Sequence, residues 1–120
     1  MLSRRPRRGE IWFVFTPGQP NDPHQPRPAL ILSADVRNRV SDDSIIVPAF
    51  SGQRPGPTRV AIRAGMGGIP RDSTFFCTEV TTLHDDFLAD GPLGDLVSND
   101  VLEQVVRAVR RAIGDTLAEP

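Results

Sequence analysis

The sequence predicts a small, mainly β protein: five to seven short strands in a strongly bent barrel, carrying one C-terminal helix. Three observations predict it. Short apolar runs rich in branched and aromatic residues recur between clusters of proline, glycine and asparagine. Helical periodicity is confined to the end of the chain, where Leu102, Val105, Val106, Val109 and Ile113 recur at helical spacing. The length, 120 residues, suits one core and not two. The expected organisation is a flexible tail over residues 1–8, one domain over residues 9–115 and a tail over residues 116–120.

The elements follow in order. Ile11-Trp12-Phe13-Val14-Phe15 after Gly9 is a strand by its aromatic and branched content. Residues 16–26 form a long loop, because Pro17, Pro20, Pro23 and Pro26 leave no room for a ladder. Residues 28–33 read as a buried strand. Arg27 stands before Pro28, which forces it into an extended conformation at the strand mouth. Residues 34–43 are polar, with one helical turn around Val36-Arg37-Asn38. Residues 44–50 form a second buried strand, in which Pro48 marks an edge or a bulge. Residues 51–57 are an exposed loop. Residues 58–63 alternate, with Val60 and Ile62 on the buried face. Residues 65–70 make a glycine-rich turn, and residues 73–83 supply one or two more strands. The helix runs from about Asn99 to Ile113, with Ser98, Asn99 or Asp100 as its N-cap and Gly114 as its stop.

Composition excludes more than it assigns. One cysteine, Cys77, rules out an internal disulfide and any zinc site built on cysteine pairs. Lysine is absent, so no phosphate loop ending in lysine exists, and no paired-histidine metal motif is present. No metal and no cofactor are expected. No apolar run approaches the length of a membrane span, and a soluble, cytoplasmic protein is expected. Residues 1–71 hold eleven arginines and five acids, a balance of +6, whereas residues 72–120 hold three and ten, a balance of −7. A basic front half suits a polyanion partner; an arginine-for-lysine codon bias would give the same count.

The polar residues at strand ends and loops are His24, Arg27, Ser51, Gln53, Arg54, Thr78 and Glu79. Arg27 is either an ordinary strand-flanking arginine or an anchor for phosphate, for which its planar fork of donors is suited. Taken from the residues alone, the set amounts to a polyanion site whose convergence on one rim the sequence does not settle.

Several landmarks, in order, resemble the MazF/PemK family of toxins. They are Arg8-Gly9-Glu10-Ile11-Trp12, Arg27-Pro28-Ala29-Leu30-Ile31-Leu32-Ser33, Asp35…Asn38, Ile46-Val47-Pro48-Ala49-Phe50-Ser51, the Pro70-Arg71-Asp72-Ser73 step and the final helix. The resemblance implies an SH3-like barrel of the CcdB/PemK kind, acting as a homodimer. It implies a metal-independent, sequence-specific endoribonuclease that cleaves single-stranded RNA and is neutralised by a cognate antitoxin. Arg27 matches the family's catalytic arginine, and Ser51 falls where most members carry a catalytic threonine. His24, Gln53, Arg54, Thr78 and Glu79 are then candidates for substrate binding. Relatives carry an acid and then glutamine where this chain has Thr78-Glu79, so the carboxylate moves one place; on a strand that turns it to the opposite face.

Such a site fits cleavage by the ribose 2′-OH, with Arg27 stabilising phosphoryl charge and Ser51 donating a second hydrogen bond. Arginine is too basic to serve as the general base near neutral pH. His24 is the candidate base if its loop covers the site; as a solvated loop histidine it has no such role. The alternative is a module of the same fold that acts on a protein target, as CcdB toxins do, or binds RNA without cutting it.

Overall fold

The computed structural model describes residues 4–16 and 25–115. His24, most of the proline-rich loop and the expected tail over residues 116–120 lie outside the described residues. Seven strands form one antiparallel sheet: β1 (Ile11–Val14), β2 (Arg27–Ile31), β3 (Asp43–Ser51), β4 (Arg59–Ile62), β5 (Ser73–Phe76), β6 (Thr81–His84) and β7 (Leu88–Asp90). Two helices accompany them, the short α1 (Asp35–Val40) and the C-terminal α2 (Asn99–Ala112). The strand order is β4-β5-β3-β2-β1-β7, with β6 also paired to β3. Among the described residues no ladder joins β4 to β7, so the bent sheet is barrel-like but not closed.

Strand β3 makes the bend. Its first half pairs with β6 over Asp43 to Ile46, and its last three residues pair with β5. On the other side Ile46, Val47 and Pro48 pair with β2. Pro48 therefore lies in a central strand, neither at an edge nor in a bulge. The Leu32 amide donates to the Ile45 carbonyl at 2.9 Å, so odd residues of β3 turn their backbone groups toward β2. Pro48 turns the other way, into the gap where β6 has ended and β5 has not begun, and its missing donor breaks no ladder bond.

Alternation along the strands sorts the apolar residues into two cores. Ile11, Leu30, Val47, Val60, Ile62 and Phe75 face α2 and join its Val101, Leu102, Val105 and Ala108. Trp12, Val14, Ala29, Ile31, Ile46, Leu83 and Leu88 fill the other side. The helix starts where expected, with Ser98 Oγ accepting from the Val101 amide at 3.3 Å. Its buried stripe is shifted from the expected one: Val101 and Ala108 are buried, Val106 and Val109 are half-buried, and Ile113 is 72% exposed beyond the helix end.

Residues 4–8, expected as part of a flexible tail, lie against the domain. The Arg5 guanidinium donates to the carbonyls of Asn38 (2.7 Å) and Ser41 (2.6 Å) and pairs with Asp85. The Arg8 amide donates to Asp35 at 2.7 Å. Glu10, buried in the Arg-Gly-Glu-Ile-Trp motif, accepts from the Arg7 amide, the Trp12 indole and Arg4. That motif is a structural clasp: one carboxylate ties the N-terminal segment to β1, and its burial is offset by three donors.

Candidate active site

Arg27 is the first residue of β2, opposite Val14 in the β1 ladder, with Pro28 holding its backbone extended. Its side chain is half-buried, and the guanidinium carbon lies 4.8 Å from the centre of the Phe50 ring. This cation–π contact restrains the guanidinium, so less freedom is left to lose on binding an anion. Ser51, exposed, is the last residue of β3 and faces Ser73 in the β3–β5 ladder. Arg27 and Ser51 line one cleft of about 350 Å³, with Gln25, Phe50, Arg71 and Ser73 among the other walls. Phe50 and Ser51 come from opposite pleats of β3, so the cleft draws on both faces of the sheet at its strand ends.

The other expected residues do not all join them. Gln53 lines an adjoining groove with Ser73 and Thr74, and its carbonyl accepts from Thr74 Oγ1 at 2.9 Å. Arg54 is exposed on the same loop. Thr78 and Glu79 are exposed on a 3₁₀ turn, Cys77–Glu79, between β5 and β6. The Glu79 carboxylate is therefore not turned to an opposite sheet face, because a turn has no pleat. Glu79 lines a different cleft, with Thr16, Pro48 and His84.

Sequence reasoning did not assign Arg71 and Phe50 to the site. The signal for Arg71 was available: Pro-Arg recurs at Pro26-Arg27, where Arg27 heads β2, and at Pro70-Arg71, two residues before β5. Phe50 gave no such signal, since a phenylalanine in an apolar run reads as core. Cys77 is inert by comparison. Burial pushes its thiol up to about 12, so it is not ionised near neutral pH. Among the described residues no three of His, Cys, Asp and Glu come together to hold a metal ion.

The front half's charge is also redistributed by folding. Arg4, Arg5 and Arg37 are paired with Glu10, Asp85 and Asp43. Arg27 and Arg71 both line the cleft, whose described walls contain no acid.

The family described as PemK-like, MazF-like toxin of type II toxin-antitoxin system matches residues 7–113. The chain belongs to that family. Solved structures of similar fold agree. An endoribonuclease in complex with its cognate antitoxin, from a mycobacterial species, is 28% identical with a TM-score of 0.73, covering 91% of this chain and 95% of that one. An endoribonuclease from a mycobacterial species is 25% identical with a TM-score of 0.73, covering 95% and 96%. MazF from Deinococcus radiodurans, at 23% identity and a TM-score of 0.74 over 93% and 99%, is alike in fold. No curated protein sequence matches the chain. In this PemK/MazF member the cleft lined by Arg27 and Ser51 brings residues of three family motifs together with two arginines, Arg27 and Arg71.

Proposed function

We propose that this chain is a sequence-specific, metal-independent endoribonuclease toxin that cuts single-stranded RNA and is neutralised by a cognate antitoxin. The observation that carries the reading is the meeting of Arg27 and Ser51 in one cleft of a PemK/MazF family member. The ribose 2′-OH attacks the adjacent phosphorus and the bond to the 5′-oxygen breaks. The products are a 2′,3′-cyclic phosphate and a 5′-OH, and the proton lost by the 2′-OH is made up at the leaving oxygen. Negative charge grows on the phosphoryl oxygens, where the guanidinium of Arg27, over the Phe50 ring, is a preorganised donor. Ser51 supplies a hydroxyl donor from the next strand position. The general base is His24 or solvent. An antitoxin partner is supported by the similar mycobacterial endoribonuclease, which is described in complex with its own. A homodimer, acting in the cytoplasm, completes the reading.

The test is to incubate the full chain with a long RNA in excess EDTA and map the ends. Cleavage that persists, leaves cyclic phosphate and is blocked by a deoxynucleotide 5′ to the scissile phosphate is the expected result. Activity that chelation abolishes and magnesium restores would contradict the mechanism.

A further inference from the structure

A stripe of four side chains crosses the sheet from the cleft. The Arg27 guanidinium lies over Phe50 at 4.8 Å. The Phe50 and Phe76 rings are 4.6 Å apart, tilted by 50°. The Arg59 guanidinium lies over Phe76 at 4.1 Å. Strand register produces the stripe. Arg59 is opposite Phe76 in the β4–β5 ladder, and Phe50 is opposite Thr74, which makes Phe76 its diagonal neighbour. Continuing the β2–β3 register two residues past Ala29 and Pro48 brings Arg27 opposite Phe50. Phe76 and Arg59 alternate with the core residues Phe75 and Val60, so both stand on the pleat opposite to the residues packed in the α2 core; Arg59, on the edge strand, also borders α2.

None of the four is buried. Arg59 makes no salt bridge among the described residues, whereas Arg4, Arg5, Arg37 and Arg110 each hold a carboxylate. Arg59 also lines a groove with α2, where Asp100 and Glu103 offset Arg107 and Arg111, so the helix brings no net charge to it. Toward Arg27 the stripe carries only cations and rings. The backbones of Arg27 and Arg59 are three strand spacings apart, about 14 Å, and two rings stand between their guanidiniums.

We propose that Arg59, seated on Phe76, is a second phosphate subsite for the RNA, and that the substrate lies across β2, β3, β5 and β4 from the cleft. This rests on the ribonuclease reading above. The Phe50–Phe76 pair spaces and orients the two guanidiniums, and the RNA is held at two phosphates that cannot both belong to the scissile step. Phe76, third in the stripe, directly precedes the turn that carries Thr78 and Glu79.

The test uses the full chain and an RNA oligonucleotide spanning a mapped cleavage site, with a 2′-deoxy sugar at the scissile step so that it binds without being cut. Anisotropy at several salt concentrations gives its affinity and salt slope. Arg59→Ala should weaken binding about two- to fivefold, as one exposed charged contact does, and lower the salt slope by about 1. Phe76→Leu should give a smaller loss and add little in the Arg59→Ala background, because the ring acts through the guanidinium. Arg39→Ala, which removes the same charge from an exposed site on α1, is the control. An Arg59→Ala protein indistinguishable from wild type or from Arg39→Ala would overturn the subsite. A wild-type chain that neither binds nor cuts RNA would remove the proposed function, and the subsite with it.

Discussion

At the scale of the residue, two local constraints suit Arg27 to the proposed chemistry: Pro28 restricts its backbone and Phe50 lies under its guanidinium. Arg27→Ala should lower the cleavage rate by about 10²–10³, the cost of removing one oxyanion donor. Its effect on stability should not exceed about 1 kcal/mol, the size of a surface cation–π contact. Arg27→Lys should recover little, since an ammonium offers neither a two-pronged contact nor a flat face for the ring. Ser51→Ala should slow cleavage less than Arg27→Ala, and Ser51→Thr should be tolerated. Steady-state rates with a mapped oligonucleotide, alongside denaturant midpoints, check all four; an Arg27→Ala chain that folds and cuts at the wild-type rate would refute the assignment.

At the scale of the element, turns decide as much as strands. The 3₁₀ turn Met66–Gly68 is pressed against the Leu93–Gly94 backbone. Gly68 has a φ of +80°, and a Cβ there would stand 2.2 Å from the Leu93 carbonyl oxygen. Gly52, next to Ser51, has a φ of +73° but open space around it. Gly68→Ala must therefore both strain a left-handed backbone and push two segments apart, whereas Gly52→Ala meets only the strain. Thermal and urea unfolding should give a loss of about 1 kcal/mol for Gly52→Ala and more than about 3 kcal/mol for Gly68→Ala. Equal losses would mean that contact with the Leu93 segment is unimportant.

At the scale of the whole molecule, the relevant quantity is where the charge ends up. The net charge is −1, too small to imply any partner. Folding pairs Arg4, Arg5 and Arg37 internally and collects Arg27 and Arg71 at the cleft, with Arg59 further along the sheet. Two phosphates neutralised on a single strand predict that affinity falls about sevenfold between about 50 and 200 mM salt. A flat response would favour a protein target over RNA. No helix among the described residues is long and apolar enough to cross a membrane.

Much was legible in the sequence because it is encoded locally. Alternation marked the strands, the 3.6-residue period marked α2, and proline with glycine marked the loops, so a mainly β domain with a C-terminal helix followed. Motifs in family order led to the PemK/MazF family, and Arg27 and Ser51, singled out on those motifs, line one cleft. The rest depended on which strands become neighbours. Pro48 read as an edge residue because sequence does not reveal that β3 changes partners beside it. Thr78 and Glu79 read as strand residues because a single 3₁₀ turn leaves no periodic trace. Arg5 read as a tail residue because its acceptors, Asn38, Ser41 and Asp85, are far along the chain. The Arg27–Phe50–Phe76–Arg59 stripe likewise assembles four residues from four strands. Only register, set by long-range pairing, brings such side chains to one face.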